Sequence, residues 1–337
     1  MAKKVTMQDI ADKLNISKNS VSQALSGKGG VSEETRRRVK QVAEQLGYKY
    51  SSNRRQKGNE RKRNIALIAS DYAFSLKSFF GEIYLSIEAE VHNQGMNLLI
   101  QSINKELVDQ LALPPLFETH PIDGILILSH ITTEYINKVI ATGIPTVIID
   151  HHHPHIKADA ILTNNRFGAY TAVEHLLQLN HRRIAFVGNI DFSPSYYERL
   201  EGYLMALRDY GVKPDEALIF SNAREEEEMI DQFIKNLPEQ PTAWFCVNDG
   251  LGYLVNACLQ QNGIKVPEEA SVCSFDNGQL SRIATPKITT MDIDLQYFGQ
   301  KAVEQLCWRM AHRDAPIQEI LLPTKLIVRQ STANAPE

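Results

Sequence analysis

A series of short apolar runs, each followed by an amphipathic stretch, constrains the fold of this chain more than any other feature. The eight runs are IALIA (65–69), NLLIQ (97–101), GILIL (124–128), TVIID (146–150), IAFVG (184–188), ALIFS (217–221), AWFCV (243–247) and VCSFD (272–276). Helical stretches separate them, for example 81–94, 166–179, 198–210, 225–236 and 250–262. Apolar strands that alternate with helices predict doubly wound parallel sheets. Because the series divides near residues 150–165, we expect an α/β body of two similar subdomains.

Polar residues at the ends of these runs indicate a ligand site. In doubly wound sheets, ligands bind beyond the carboxyl ends of the strands. The polar residues at these ends are Ser70, Asp71, Asp150, Asn248, Asp249, Asp276 and Asn277. Their carboxylate and amide groups suit a polyol such as a sugar, and the aromatic side chains of Tyr72, Phe79 and Phe80 would cover its C–H faces.

The charge of the chain is unevenly distributed. Residues 1–63 carry 16 Lys and Arg against 6 Asp and Glu, whereas the remainder carries 20 against 34. A basic N-terminal segment on an acidic body predicts a polyanionic partner for that segment alone. No apolar run is long enough to cross a membrane, the N-terminus lacks the apolar core of a secretory signal, and the four cysteines show no CxxC spacing. We therefore expect a cytoplasmic protein with free thiols.

The basic segment has the pattern of three short helices. Thr6, Ser17 and Ser32 are placed to cap them, and a tight turn around residues 15–17 separates the first two. This spacing predicts an all-α helix-turn-helix domain whose second helix enters the DNA major groove. Asn and Gln side chains can bind adenine, and Lys can reach guanine or phosphate. The candidate DNA contacts are Thr6, Gln8, Ser17, Lys18, Asn19, Ser20 and Gln23, followed by Arg54, Arg55 and Lys57.

The N-terminal sequence resembles the DNA-binding module of the lactose/galactose-repressor family of bacterial transcription regulators. The matching pieces are VTMQDIA, SKNSVSQAL, VSEETRRRV and LGY. The resemblance implies a helix-turn-helix domain at 1–48, a basic hinge at 49–63, and an effector-binding and dimerisation domain at 64–337. In the family, a hinge helix inserts a leucine into the minor groove, but Lys57 stands at that position here. Either the operator is bent less, or the hinge binds through its charge.

The resemblance extends through the body and implies a periplasmic-binding-protein-like sensor. Its first subdomain would comprise about 64–162 and 293–324, and its second about 163–292 and 325–337. The motif SYYERLEGYLMAL places Arg199 at the family's ligand-contacting arginine, unless Arg199 pairs with Glu198 or Glu201 on the helix surface. Asn248, Asp249 and Asp276 occupy effector-pocket positions, although Asp249 can equally cap helix 250–262.

Two further runs of polar residues have simple interpretations. His151 to His153 and His155 follow a strand end, and the resemblance implies that His151 contacts the effector. We expect no metal there, because adjacent loop histidines rarely converge on one ion without further ligands. Residues 225–228 are four consecutive glutamates, which we expect to form the solvated start of a helix. No nucleotide-binding glycine motif and no catalytic set is present, so we expect no catalytic residues and no cofactor.

Together these features predict a transcription regulator, acting as a repressor, rather than an enzyme. We expect a homodimer on near-palindromic double-stranded operator DNA, because one helix-turn-helix reads only a half-site and no heptad repeat follows residue 330. The effector would be a mono- or disaccharide held between the two subdomains. Within the same family, a phosphorylated protein partner, a phosphosugar or a nucleobase corepressor remains an alternative. A sugar-binding or sugar-modifying enzyme is a remote one.

Overall fold

The computed structural model describes residues 5–26, 30–46, 48, 61–71, 73, 79–128 and 131–336. It divides into two units, the head (Met1–Arg61) and the body (Lys62–Glu337), which are described separately below. Four of the residues singled out above lie outside the described ranges, namely Arg54, Arg55, Lys57 and Tyr72.

The head is built of three helices, α1 (Met7–Leu14), α2 (Lys18–Ser26) and α3 (Glu33–Gln45). Their boundaries follow from local capping. Thr6 and Asp9 form a capping box at the start of α1, and Ser32 Oγ accepts a hydrogen bond from the Thr35 amide at the start of α3. Asn15 ends α1 in the left-handed conformation, with φ of 52°. The short turn this creates is the one that the sequence predicts.

A small apolar core holds the three helices together. One side of each helix is buried, and the buried side chains are Ile10, Ala11, Val21, Ala24, Val39 and Ala43. Each helix contributes two of them, so no helix can bury its apolar side without the other two. The prediction of an all-α helix-turn-helix domain is confirmed.

The body contains two six-stranded sheets, which define its two subdomains. The first sheet has the strand order β11-β5-β4-β3-β1-β2, and all its neighbouring pairs are parallel. Its strands are β1 (Asn64–Ser70), β2 (Asn97–Ile103), β3 (Gly124–Leu128), β4 (Thr146–Ile149), β5 (Asp159–Thr163) and β11 (Glu319–Leu322). Strands β1, β3 and β4 are buried along almost their whole length, as expected for a sheet that is covered on both faces.

The second sheet has the order β12-β10-β9-β8-β6-β7. Its pairs are parallel except for β10 with β12, which is antiparallel. Its strands are β6 (Ile184–Val187), β7 (Ile219–Phe220), β8 (Ala243–Cys246), β9 (Ser271–Asp276), β10 (Thr289–Asp292) and β12 (Lys325–Ile327). The chain therefore passes between the two sheets three times: after β5, after β10, and between β11 and β12.

Ten helices cover these sheets in the described part of the body. Their bounds are α4 (Phe80–Asn93), α5 (Lys105–Asp109), α6 (Leu116–Thr119), α7 (Thr133–Ile140), α8 (Asn165–Gln178), α9 (Pro194–Asp209), α10 (Glu227–Asn236), α11 (Asp249–Gln261), α12 (Gln279–Ile283) and α13 (Leu295–Ala311). Helix α8 packs on α9, and α13 packs on α4. Glycines allow both approaches: a Cβ on Gly202 would overlap the Arg166 carbonyl, and one on Gly299 would lie 2.6 Å from Ser86 Cβ.

The α/β prediction is confirmed, but individual elements differ from it. The run ALIFS is not a five-residue strand: Asp215 caps a 3₁₀ turn at Glu216–Leu218, and only Ile219–Phe220 remain as the edge strand β7. The strands β5, β10, β11 and β12 were not among the predicted runs. Among the described residues, no helix is long and apolar enough to span a membrane.

Candidate functional site

The head presents a polar face on α2. Lys18 and Asn19 are exposed, and Ser20 and Gln23 are half-buried, whereas Val21 on the other side is fully buried. Ser17 Oγ accepts a hydrogen bond from the Ser20 amide at 3.0 Å and so fixes the first turn of the helix. Helix α2 therefore offers amide, ammonium and hydroxyl groups on one exposed side, which are the groups that can read base edges in a groove.

Two other DNA candidates, Thr6 and Gln8, and the α3 residue Arg36 have hydrogen-bond partners within the described head. Thr6 is held in the capping box, and Gln8 Nε2 donates to Asp12 Oδ1 at 2.8 Å. Arg36 Nη1 donates to the Ala24 carbonyl at 3.4 Å, near the end of α2. Arg36 thereby helps to hold α2 against α3.

The body contains a cavity of about 150 Å³ between its two subdomains. The first subdomain contributes Phe79, Phe80 and Asp150 to its walls. The second contributes Phe192, Ser193, Ser195, Tyr196, Arg199, Glu225, Asn248, Asp249, Gly250, Asp276, Gly278, Gln279 and Leu280. Seven of the predicted ligand-site residues therefore line one cavity, namely Phe79, Phe80, Asp150, Arg199, Asn248, Asp249 and Asp276. Four other predicted residues, Ser70, Asp71, His151 and Asn277, do not line it.

Arg199 is the central cation of the cavity wall. Its side chain is 2% exposed, and its guanidinium donates to Asn165 Oδ1 at 3.0 Å, to Asp276 Oδ1 at 3.2 Å and to the Val247 carbonyl. The ring of Phe275 lies 3.7 Å from its Cζ. The alternative of a surface ion pair with Glu198 or Glu201 is wrong, because the turn of α9 that carries Arg199 faces the interior.

Two carboxylates stand beside Arg199 at strand ends. Asp150 follows β4 with φ of 55°, and Asp276 ends β9 with φ of 102°. These left-handed conformations re-aim the side chains at the point where each strand stops. Burial raises the pKa of Asp150 to about 7, although Arg199 opposes the shift. Burial also raises the pKa of Asp276, again against Arg199.

Asn248, and not Asp249, caps helix α11. Asn248 Oδ1 accepts a hydrogen bond from the Leu251 amide at 2.8 Å, so the prediction that Asp249 could be the cap is wrong. Asp249 instead turns inward, where it accepts hydrogen bonds from the Ser274 and Thr290 hydroxyls and the Gly278 amide. Burial raises its pKa to about 7. Because these three donors already bind the Asp249 carboxylate, it connects α11 to β9, β10 and Gly278 within the cavity wall.

Glu225 joins the cavity through Asn248. Asn248 Nδ2 donates to Glu225 Oε1 and to the Tyr196 hydroxyl, both at 2.8 Å. A Cβ on Gly250 would overlap the Glu225 carboxylate, so a side chain at this position would displace Glu225 from Asn248. The predicted helix start is correspondingly shifted: α10 begins at Glu227, and Glu225 faces the cavity.

Several cavity residues are marked as ligand contacts by neither a strand end nor a family motif in the sequence. Ser195 and Tyr196 lie four and three residues before Arg199 on α9, so helical spacing from Arg199 could have found them. Asp150 belongs to the predicted strand-end set and does line the cavity. Phe192, Ser193, Gln279 and Leu280 lie in or next to loops, where no periodic pattern marks them.

Asp71 and His151 lie outside the lining of the cavity. Asp71 accepts a hydrogen bond from the Ser102 hydroxyl beside β2. His151 Nε2 is buried without a partner in the described part of the chain, and burial lowers the pKa of the ring to about 4. The described residues include no group of three or more side chains that could hold a metal ion.

His152 connects the two subdomains near the cavity. Its ring nitrogens lie 3.2 Å from Glu198 on α9 and 3.4 Å from Glu319 on β11. The hydrogen bond to Glu198 is the main reason that its pKa is raised. Asn165 Nδ2 in turn donates to Glu198 at 3.0 Å, while Asn165 Oδ1 accepts from Arg199. A continuous polar network thus runs from the first subdomain to the cavity wall.

Comparisons with known proteins agree with this architecture. Residues 6–51 match the profile of bacterial regulatory proteins of the lacI family, and residues 173–332 match a periplasmic binding protein-like domain. The HTH-type transcriptional repressor CytR of Escherichia coli (strain K12) is 30% identical over 334 residues, which cover 98% of this chain and 97% of CytR.

Solved structures match at the level of the fold. A transcriptional regulator CelR–cellobiose complex has a TM-score of 0.71 at 23% identity and covers 97% of this chain and 99% of its own. A LacI-family regulator from Enterococcus faecium with bound ribose has a TM-score of 0.68 at 25% identity, covering 81% of this chain and 99% of its own. With a full-length relative at 30% identity, this chain belongs to the LacI family of bacterial transcription regulators, which join a helix-turn-helix DNA-binding domain to an effector-binding domain.

Proposed function

We propose that this protein is a homodimeric repressor that binds near-palindromic operator DNA through α2 and whose operator affinity is set by a sugar bound in the cavity. The observation that carries the proposal is the shared wall of that cavity. Phe79, Phe80 and Asp150 come from one subdomain and Arg199 and Asp276 from the other. A ligand that contacts both sides favours one arrangement of the subdomains over another, and such differential affinity is what couples two sites.

The chemistry of the walls supports a polyol rather than an anion. Carboxylate oxygens of Asp150, Glu225 and Asp276 accept hydrogen bonds from hydroxyl groups, and Phe79 and Phe192 offer apolar faces. A phosphosugar would bring further negative charge next to these carboxylates, and Arg199 is already bound to Asp276. The ribose-bound regulator from Enterococcus faecium adds support for a sugar.

We expect a dimer because α2, the helix that would contact the bases, is short. Helix α2 has nine residues, and one such helix contacts only a few base pairs of the major groove. Two copies related by a two-fold axis would read two half-sites, so an effector that alters the spacing of the two heads would alter operator affinity.

Fluorescence anisotropy of the full-length protein tests this proposal. The DNA would be the region just upstream of its own coding sequence, with scrambled DNA of equal length as the control, at fixed salt because phosphate contacts make affinity salt-dependent. The panel would include ribose, glucose, galactose and cellobiose. We expect tight binding to the upstream DNA that at least one sugar weakens tenfold or more. Binding that is indifferent to every sugar would contradict the sugar assignment, and equal binding to scrambled DNA would contradict the operator assignment.

A further inference from the structure

The helix that Asn248 caps fixes the orientation of its side-chain amide. Asn248 Oδ1 accepts a hydrogen bond from the Leu251 amide at 2.8 Å, so the other side of the group must carry Nδ2. The two N–H groups of Nδ2 donate to Glu225 Oε1 and to the Tyr196 hydroxyl, both at 2.8 Å. Asn248 therefore has no N–H group left for a ligand, although it lines the cavity.

The Tyr196 hydroxyl still has a proton to donate. Its oxygen accepts from Asn248, and none of the described residues accepts a hydrogen bond from its O–H group. Burial raises the pKa of Tyr196, so the hydroxyl stays protonated and remains a donor. Because Tyr196 lines the cavity, an atom of the ligand can be the acceptor that the protein does not supply.

Two neighbouring side chains contact the ring of Tyr196. The centroids of the Phe192 and Tyr196 rings are 6.0 Å apart, and the guanidinium carbon of Arg199 lies 5.6 Å from the Tyr196 centroid. Together with the hydrogen bond from Asn248, these contacts hold the hydroxyl in place before a ligand binds. Such preorganisation lowers the entropy cost of forming a contact with the ligand.

A sugar needs a donor of this kind. Each sugar hydroxyl can both donate and accept a hydrogen bond, whereas the ring oxygen only accepts. An ionised carboxylate such as that of Asp276 only accepts. A sugar oxygen that accepts a hydrogen bond must therefore find its donor elsewhere in the wall.

We propose that the Tyr196 hydroxyl donates a hydrogen bond to an oxygen atom of the effector, and that Asn248 positions Tyr196 instead of donating to the effector itself. This inference rests on the proposed function, since it assigns roles to two residues in the cavity of the sugar effector.

Calorimetric titration of the full-length protein tests this proposal. The ligands are ribose, glucose, galactose and cellobiose, each with the deoxy and carbocyclic derivatives that remove one oxygen at a time. Tyr196→Phe removes only the hydroxyl, and we expect it to bind the effector sugar about threefold to tenfold more weakly, the usual loss for one neutral hydrogen bond. For the derivative that lacks the contacted oxygen, the wild type and Tyr196→Phe should bind equally.

The next residue of α9 provides a matched control. Tyr197 is 51% exposed and does not line the cavity, so Tyr197→Phe should bind like the wild type. Asn248→Ser keeps a side-chain oxygen for the helix cap but has no amide group. We expect Asn248→Ser to weaken sugar binding as Tyr196→Phe does, and the double variant to bind no more weakly than Tyr196→Phe alone, because Asn248 acts through Tyr196.

Each other outcome overturns a defined part of the argument. If Tyr196→Phe binds the effector sugar as tightly as the wild type, or is weakened equally for every derivative, the contact with Tyr196 is overturned and the proposed function stands. Additive losses in the double variant overturn the positioning role of Asn248. If no sugar binds the wild type, both the Tyr196 contact and the proposed sugar effector fail.

Discussion

Gln23 lies on the half-buried edge of α2, near the exposed side chains of Lys18 and Asn19. A glutamine amide there can form two hydrogen bonds to one adenine, and such pairs distinguish bases, whereas phosphate contacts do not.

Replacing Gln23 by alanine should weaken binding to the cognate operator about tenfold or more, as expected for the loss of about 1–3 kcal/mol of base discrimination. Binding to scrambled DNA should change little. Anisotropy titrations at one salt concentration measure both affinities, with Gln41→Ala on the exposed side of α3 as the matched control. An equal loss on both DNAs would show that Gln23 does not read bases.

Asp150 provides a second test at this scale, through the pH dependence of stability. Because burial raises its folded pKa to about 7, the folded protein binds a proton more tightly than the unfolded chain does. The free energy of unfolding should therefore fall as the pH rises from 5 to 8.

The variant Asp150→Asn should lose less stability over this pH range than the wild type, by on the order of 1–3 kcal/mol. Part of the slope should remain, because Asp249 shows the same shift. Urea unfolding followed by tryptophan fluorescence reports on the body, since both tryptophans, Trp244 and Trp308, lie there. Identical slopes in the wild type and the variant would refute the raised pKa of Asp150. Asp314→Asn, an exposed substitution, serves as the control.

At the scale of elements, the contact between α8 and α9 positions Arg199. Gly202 lies one turn beyond Arg199 on α9, where its missing side chain admits the backbone of α8. Asn165, at the first position of α8, then reaches the Arg199 guanidinium.

We predict that Gly202→Ala destabilises the body by about 1–3 kcal/mol, the usual cost of forcing a methyl group into a filled space. The better helix propensity of alanine offsets at most about 1 kcal/mol of this cost. Urea unfolding by tryptophan fluorescence measures the loss, and Arg208→Ala, on an exposed side chain of the same helix, should be nearly neutral. A Gly202→Ala protein as stable as the wild type would mean that α8 and α9 separate easily.

The elements also show which parts of the structure the sequence could predict. The head helices were predictable because their caps at Thr6, Ser17 and Ser32 and their apolar stripes are local patterns. The edge strands β11 and β12 were not predicted, since three or four partly exposed residues carry no clear apolar run, and β7 is shorter than the run ALIFS that contains it.

The site likewise has residues that the sequence locates and contacts that it does not. Family motifs located Arg199, Asn248 and Asp276, but the contact from Arg199 to Asp276 joins residues 77 positions apart. Which of two neighbouring polar residues caps α11 was not decided by sequence, because asparagine and aspartate cap equally well. The inward turn of Asp249 depends on donors from β9, β10 and Gly278, which only the fold brings together.

At the scale of the whole molecule, the chain crosses between its two sheets three times, and the cavity lies between the subdomains they form. If an effector moves the subdomains, we expect the three connections to restrict that movement to a hinge. His152 adds a polar link between Glu198 on α9 and Glu319 on β11, which connects the two subdomains directly.

The central claim is that this cavity controls operator affinity, and the variant Asp276→Asn tests it most directly. Asparagine keeps the size of the side chain and tolerates the positive φ at this position, but removes the charge that faces Arg199. Operator anisotropy would be measured for the wild type, Asp276→Asn and the control Asp314→Asn, each alone and with ribose, glucose, galactose or cellobiose. We predict that the wild type and the control lose at least tenfold in operator affinity with the same sugar, whereas Asp276→Asn binds operator and responds less than twofold. An Asp276→Asn protein that responds like the wild type would contradict the claim.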